Sequence, residues 1–281
     1  MRIDAHQHYW QLRRGDYGWL TPAQGTLYRD FMPADLAADC AGCAVTATVL
    51  VQAAPSEAET RFLFEIARQS PCVAGVVGWV DFEASDVRRR IERLVRDGAG
   101  KLKGLRPMVQ DIDDPLWLDR ASLDAAFEAL IEQGLRFDAL VKPQHLDALT
   151  RRLRRYPKLQ AVLDHCGKPD IAQGTLEPWG GRIDALARGT TACCKLSGLL
   201  SEAAAGADIE QLMPFVRRAF DAFGAERILW GSDWPVLTAR GTYAYWLQMA
   251  LECVKRLAPD AEADVFGGNA VRFYDLAVGH C

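Results

Sequence analysis

No apolar run in this 281-residue chain is long enough to cross a bilayer; the longest charge-free stretch, Cys40 to Ser56, is interrupted by Gln52 and Pro55. There is no excess of basic residues either. Lys and Arg total 33 against 37 Asp and Glu, a formal charge of -4 that argues against a nucleic-acid partner. Arg88 to Arg90, and Arg151, Arg152, Arg154 and Arg155, stand in helix-like segments beside acids and read as solvated helix faces. The N-terminus lacks a basic leader followed by an apolar core, so a cytoplasmic location is expected. Cys40 and Cys43 form a C-x-x-C with no second pair to complete a zinc ribbon. The eight scattered cysteines therefore read as free, mostly buried thiols in a reducing compartment. Neither G-x-G-x-x-G nor G-x-x-x-x-G-K-[ST] occurs, which removes the usual phosphate-cradling loops, and the missing G-x-S-x-G disfavours an activated serine.

What the chain does have is alternation. Apolar, β-branched runs begin at Ile3, Val45, Val73, Leu102, Leu135, Leu159, Cys193 and Arg227. Helical spacing follows most of them, at Ser56–Ser70, Ser85–Asp97, Ser122–Gln133, Gln144–Arg155, Arg182–Arg188, Ile209–Phe223, Tyr243–Leu257 and Glu262–Leu276. Ser56 and Glu59 form a capping box at the start of the first of these helices. Continuously apolar strands need cover on both faces, as in a parallel sheet. Eight such units predict an α/β fold, a (β/α)8 TIM barrel, as one domain over residues 1–281. A doubly wound open sheet is the alternative, but its Gly-rich loop is missing. Gln11 to Asp30, rich in glycine and aromatics, is expected to cover or line a site.

A barrel builds its site where strands end. The first strand ends in His6 and His8, whose alternation-matched side chains fall on one side of an extended chain. Such a pair can hold a metal, grip an anion or carry protons; it can equally cap the strand and turn. The fourth strand supplies Lys103 and Arg106, the sixth Asp164-His165 before Cys166-Gly167-Lys168-Pro169, the seventh Lys195 and Ser197, and the eighth Gly231-Ser232-Asp233-Trp234-Pro235. Asp233 reads either as a turn residue or as a general base for water; Arg106 reads either as a structural ion-pair member or as a fork gripping substrate oxygens. Lys103 and Lys195 are candidates for substrate contact or for a buried ion pair. His145, inside a helix, reads as structural, and His280, in the tail, as uninvolved. Trp10, Trp19, Trp79, Trp117 and Trp234, with Gln7, Gln52 and Gln110, could supply ring platforms and hydroxyl-binding groups, or simply fill the core.

Three ordered stretches, Asp4-Ala5-His6-Gln7-His8, Leu163 to Pro169 and Trp230 to Pro235, resemble the amidohydrolase superfamily, specifically its amidohydrolase-2 branch of sugar lactonases. The resemblance runs from the first strand to the last. It implies a distorted (β/α)8 barrel that hydrolyses a small-molecule sugar lactone, such as an L-fucono- or L-rhamnono-lactone, to the aldonic acid. His6, His8, His165 and Asp233 match the family's strand-end positions. With Arg106 they form the expected catalytic set, and Lys103, Trp10, Trp19, Gln52 and Trp234 are the expected substrate contacts. The fifth strand has no histidine, so a two-metal site is poorly supplied. One divalent ion such as zinc on His6, His8 and Asp233, helped by His165, remains an optional site rather than a requirement. The alternatives are a metal-dependent amidohydrolase or decarboxylase on the same barrel, and a sugar-acid binding protein without turnover.

Overall fold

The computed structural model describes residues 1–277; the expectation for His280 lies outside them. Eight parallel strands form one sheet in sequence order: β1 Arg2–Gln7, β2 Val45–Val51, β3 Val73–Gly78, β4 Leu102–Leu105, β5 Arg136–Ala139, β6 Ala161–Leu163, β7 Cys193–Leu196 and β8 Ile228–Trp230. The helices that accompany them are α1 Pro33–Asp39, α2 Glu57–Gln69, α3 Val87–Gly98, α4 Asp124–Glu132, α5 Leu146–Arg155, α6 Trp179–Gly189, α7 Leu199–Glu202, α8 Ile209–Phe223, α9 Tyr243–Leu257 and α10 Asn269–Tyr274. This is a (β/α)8 barrel. No described helix is long and apolar enough to cross a membrane.

Local chemistry sets these elements. In α3, Val87, Ile91 and Leu94 recur on one face and are buried, while Arg88 and Arg90 on the other face pair with Glu128, Glu132, Asp86 and Glu57. In α8, Asp208 accepts the amides of Glu210 and Gln211 at 3.0 and 3.2 Å, and Gly224 ends the helix. Strand β5 is shorter than its apolar run because Leu140–Lys142 leave the ladder ahead of Pro143. The final helical pattern divides into a π-turn, Asp264–Gly268, and α10. Gly267 lies against the N-terminus: a Cβ there would stand 2.7 Å from the Met1 carbonyl oxygen. Helix α1 had no counterpart in the sequence reading.

Two further expectations are corrected. Arg152 is not on a solvated face. It is buried over the Phe127 ring and donates to Asp124 and to the Leu118 and Arg120 carbonyls, because its position on α5 turns it toward the preceding loop. Cys72 is disulfide-bonded rather than a thiol, on an exposed turn before β3; Cys40, Cys43, Cys166, Cys193, Cys194 and Cys253 are free.

Inside the barrel, Ile3, Ala5, Val49, Val51, Val77, Val162 and Leu229 pack with Phe273, Tyr274 and Leu276 from the chain's end, so α10 stoppers one end of the cylinder. The other end is the mouth, where β1 meets β8. That seam is short. It consists of a bridge between Gln7 and Trp234, amide donation from His8 to the Trp234 carbonyl at 2.7 Å, and from Asp233 to the His6 carbonyl at 2.8 Å. Asp4 ties it from behind, accepting the Ser232 amide at 2.8 Å and the Tyr243 hydroxyl at 2.8 Å.

Candidate active site

The seam delivers the site. His6 and His8 leave β1 on the same side, their rings edge to face with centroids 4.9 Å apart, and His165 after β6 brings a third ring 4.5 Å from that of His6. All three Nε2 atoms converge on Oδ1 of Asp233, His8 at 3.2 Å and His6 and His165 at 3.8 Å. Two of these residues hold strained backbone: His165 has φ 53° and Asp233 φ 60°, and Cys166 and Lys168 share the left-handed region. Gly198 and Gly231 make room. A Cβ on Gly198 would strike His165 Nδ1 at 2.5 Å, and one on Gly231 would strike His6 Cβ at 2.7 Å.

The protons can be followed from the hydrogen bonds. His8 donates Nδ1–H to the Val51 carbonyl at 2.8 Å, so a neutral ring would aim its Nε2 lone pair at Asp233. That contact becomes attractive when His8 is an imidazolium or when a cation shares the two groups. Ser197 Oγ lies 2.8 Å from His165 Nδ1; when the hydroxyl donates, Nε2–H points to Asp233. His6 Nε2 lies 3.2 Å from Arg106 Nη1, an obligate donor, so Nε2 accepts; Nδ1 faces Lys195 Nζ at 3.2 Å and Asp164 Oδ1 at 3.4 Å.

Behind His6 runs a buried charge network. Lys195 Nζ is 2.5 Å from Asp138 Oδ2, 3.0 Å from Asp164 Oδ1 and 3.2 Å from His6 Nδ1. Tyr274 donates to Asp138 at 2.6 Å, and Arg106 reaches Asp164 at 3.3 Å. Burial pushes the Asp164 carboxyl up, but Lys195, His6 and Arg106 outweigh it and hold the group well below the carboxylate range. Burial and then the Lys195 charge push His6 well down, so its ring is neutral. Burial would also raise Asp233; the imidazoles of His165, His8 and His6 overcome this and keep it an anion. His165 is pushed down to about 4 by burial, against the opposing pull of Asp233 and Asp164.

This has a testable pH consequence. With a folded value below the ordinary 6.5, His165 leaves the unfolded chain holding the extra proton, so its contribution to stability is lost as pH falls from 6.5 toward about 4. The fall in unfolding midpoint between pH 7 and pH 5 is expected to be smaller in His165→Gln than in the parent. Equal falls in the two proteins would contradict a neutral buried His165.

A cavity of about 230 Å³ opens over these groups, lined by His8, Arg106, His165 and Asp233, with Trp19, Met108, Leu140 and Val236 as its apolar wall and Gln110, Asp111 and Lys168 as polar edges. Of the sequence candidates, His6, His8, Arg106, His165, Asp233 and Trp19 come together here. Gln52 sits behind the cavity, its carbonyl accepting from Arg106 Nη2 and its amide donating to the Arg106 carbonyl at 2.8 Å. Trp10 and Trp234 are corrected as ring platforms: both are wholly buried, edge to face with Phe31 at 5.3 Å, and they back the wall rather than face a ligand. Lys103 is corrected too. Three residues from Arg106 on an extended strand, it points away, and its Nζ donates to the Asp275 carbonyl at 2.9 Å. His145 is structural as expected, accepting the Lys142 amide and bonding the Ile112 carbonyl. Asp138 as the partner of Lys195, and Met108, Asp111 and Leu140 as lining, were not found from sequence. Only the missing histidine on the fifth strand drew attention to that region.

His6, His165 and Asp233 offer ligand atoms within 4.8 Å of one another, a nitrogen and oxygen set suited to zinc. Arg106 competes, since its guanidinium faces the His6 lone pair that an ion would use.

Comparison with known proteins bears on the family and the fold. The family model described as Amidohydrolase matches residues 3–276. The chain is 46% identical over 279 residues to an L-fucono-1,5-lactonase of Burkholderia ambifaria, covering 98% of this chain and 96% of the relative. It is 33% identical over 294 residues to an L-fucono-1,5-lactonase of Burkholderia multivorans, again covering 98% and 96%. A crystal structure of a Burkholderia multivorans amidohydrolase with bound zinc superposes with a TM-score of 0.90 at 32% identity, over 99% of this chain and 100% of that one. With its eight strands, its seam histidines and its match from end to end, the chain belongs to the amidohydrolase family.

Proposed function

We propose that this protein is a lactonase, a carboxylic ester hydrolase that opens a neutral sugar lactone of the L-fucono-1,5-lactone type to the aldonic acid. The observation that carries the reading is the convergence of three imidazole Nε2 atoms on one buried carboxylate, Asp233, at the floor of a small cavity. Asp233 takes a proton from water as the water oxygen adds to the lactone carbonyl. As the tetrahedral centre collapses, the bond to the ring oxygen breaks, and that oxygen takes the proton back. His165 donates Nε2–H to the developing oxyanion, and Arg106 supplies positive potential beside it. An ester carbonyl needs less polarisation than an amide, so these groups suffice.

His6, His165 and Asp233 could hold a zinc ion, which would polarise the carbonyl as a Lewis acid. We hold that turnover does not require it, because Arg106 and Lys195 already bring positive charge to the His6 ring. Neutral lactones are favoured over carboxylated ones because the lining cations are taken: Arg106 by Asp164, and Lys168 by Glu202 at 2.9 Å.

A pH-indicator assay over a panel of lactones tests the reading, with protein treated with chelator and then freed of it. Expected is turnover of neutral aldonolactones at undiminished rate after chelation, and little or none of carboxylated lactones. No turnover of any aldonolactone would overturn the function, and loss on chelation restored by zinc would overturn the metal-free route.

A further inference from the structure

The carboxylate of Glu59 is wholly buried, and the capping box expected of Ser56 and Glu59 is only half formed, because the Ser56 amide donates to the Ala54 carbonyl instead. Ser56 Oγ accepts the Glu59 amide at 3.1 Å, as a cap should. The Glu59 side chain, however, reaches past the helix start to the loop after β2. There it accepts the Ala53 amide with both oxygens, at 3.0 and 3.1 Å, and the Ala54 amide at 2.9 Å. The same five-residue loop, 52–56, carries two cavity groups. The Ala53 carbonyl accepts Trp19 Nε1 at 2.8 Å, and the Gln52 carbonyl accepts Arg106 Nη2. The aromatic segment holding Trp19 has a further tie, from Ser56 Oγ to Asp16 at 3.1 Å, and Tyr17 within it is buried beside Glu59.

We propose that Glu59 is a positioning residue of the active site, which sets the Trp19 indole against the substrate by fixing the Ala53 peptide. The proposal rests on the lactonase reading only in taking lactone turnover as its readout. Burial pushes the Glu59 carboxyl up to about 8, against the pull of the Ala54 and Ala53 amides, so a neutral hydrogen-bonding group there is compatible with the fold. Arg106 has other anchors in Asp164 and His6, whereas the Trp19 indole nitrogen has the Ala53 carbonyl alone among the described residues. Disturbing the loop therefore loosens the wall more than the reacting groups.

The test is steady-state kinetics on a lactone that the parent hydrolyses, using Glu59→Gln, Trp19→Phe and the double variant, each checked for native circular dichroism. In Glu59→Gln one oxygen becomes an amide facing an N–H donor, and KM is expected to rise about tenfold while kcat stays within about threefold. Trp19→Phe removes the indole donor and should raise KM similarly. Because both act through the Ala53 peptide, the double variant should fall well short of the product of the two effects. If Glu59→Gln does not reach the native state, Glu59→Asp, one methylene too short to span both amides, is read the same way. An unchanged KM with only a lowered unfolding midpoint, an effect confined to kcat, or multiplicative effects in the double variant would each overturn the proposal. A parent inactive on every lactone would instead be a failure of the lactonase reading; the part of the indole fluorescence that Trp19→Phe removes, more open to acrylamide quenching in Glu59→Gln than in the parent, would then serve as the readout for Glu59.

Discussion

Asp233→Asn should lower kcat by about a thousandfold or more while leaving the barrel intact. The amide is nearly the same size and still lies among the three imidazoles, and the Asp233 backbone amide still donates to the His6 carbonyl, so the seam is kept. What disappears is the anion proposed to draw the proton from water and return it to the ring oxygen. The loss should fall on kcat rather than on KM, because the cavity wall of Trp19, Met108, Leu140 and Val236 is left as it was. Rates within tenfold of the parent, with an unchanged unfolding midpoint, would remove Asp233 from the role of base. The imidazoles would then have to supply it.

The second large effect concerns stability. Lys195→Met should destabilise the fold by roughly 3–5 kcal/mol, the cost of leaving a buried charge without its partner. Lys195 is wholly buried, and so are the two carboxylates it serves, Asp138 and Asp164. Asp164 keeps Arg106, but Asp138 would keep only the Tyr274 hydroxyl. The burden therefore falls on Asp138, and Lys195→Met combined with Asp138→Leu should recover much of the loss. Chemical denaturation of the three proteins reads this directly. A single Lys195→Met variant as stable as the parent, or a double variant less stable than the single, would contradict the arrangement.

The sequence carried these features unequally, for reasons that lie in the spacing of the residues. The strand-end set was legible because two-residue alternation decides where His6 and His8 point, and because His165 and Asp233 follow apolar runs that end abruptly in polar, turn-forming residues. Lys103 lies an odd step from Arg106, and strand parity sends it to the opposite side. Trp10 and Trp234 were misplaced for a different reason. An indole suits a ligand platform and a core equally well, and only the packing of Phe31 between them decides. Asp138 and Lys195 are 57 residues apart, and their ion pair depends on how β5 and β7 face across the cylinder, which no local pattern encodes.

The short β1–β8 seam also bears on when the enzyme becomes competent. His8 and Asp233 are 225 positions apart, so the ring of strands and the reacting pair are completed in a single act of closure. A nascent chain that has built seven of its eight units already holds the three imidazoles of the site but not Asp233, and its two unpaired strand borders stand open. Catalysis thus serves as a report that the circle has shut.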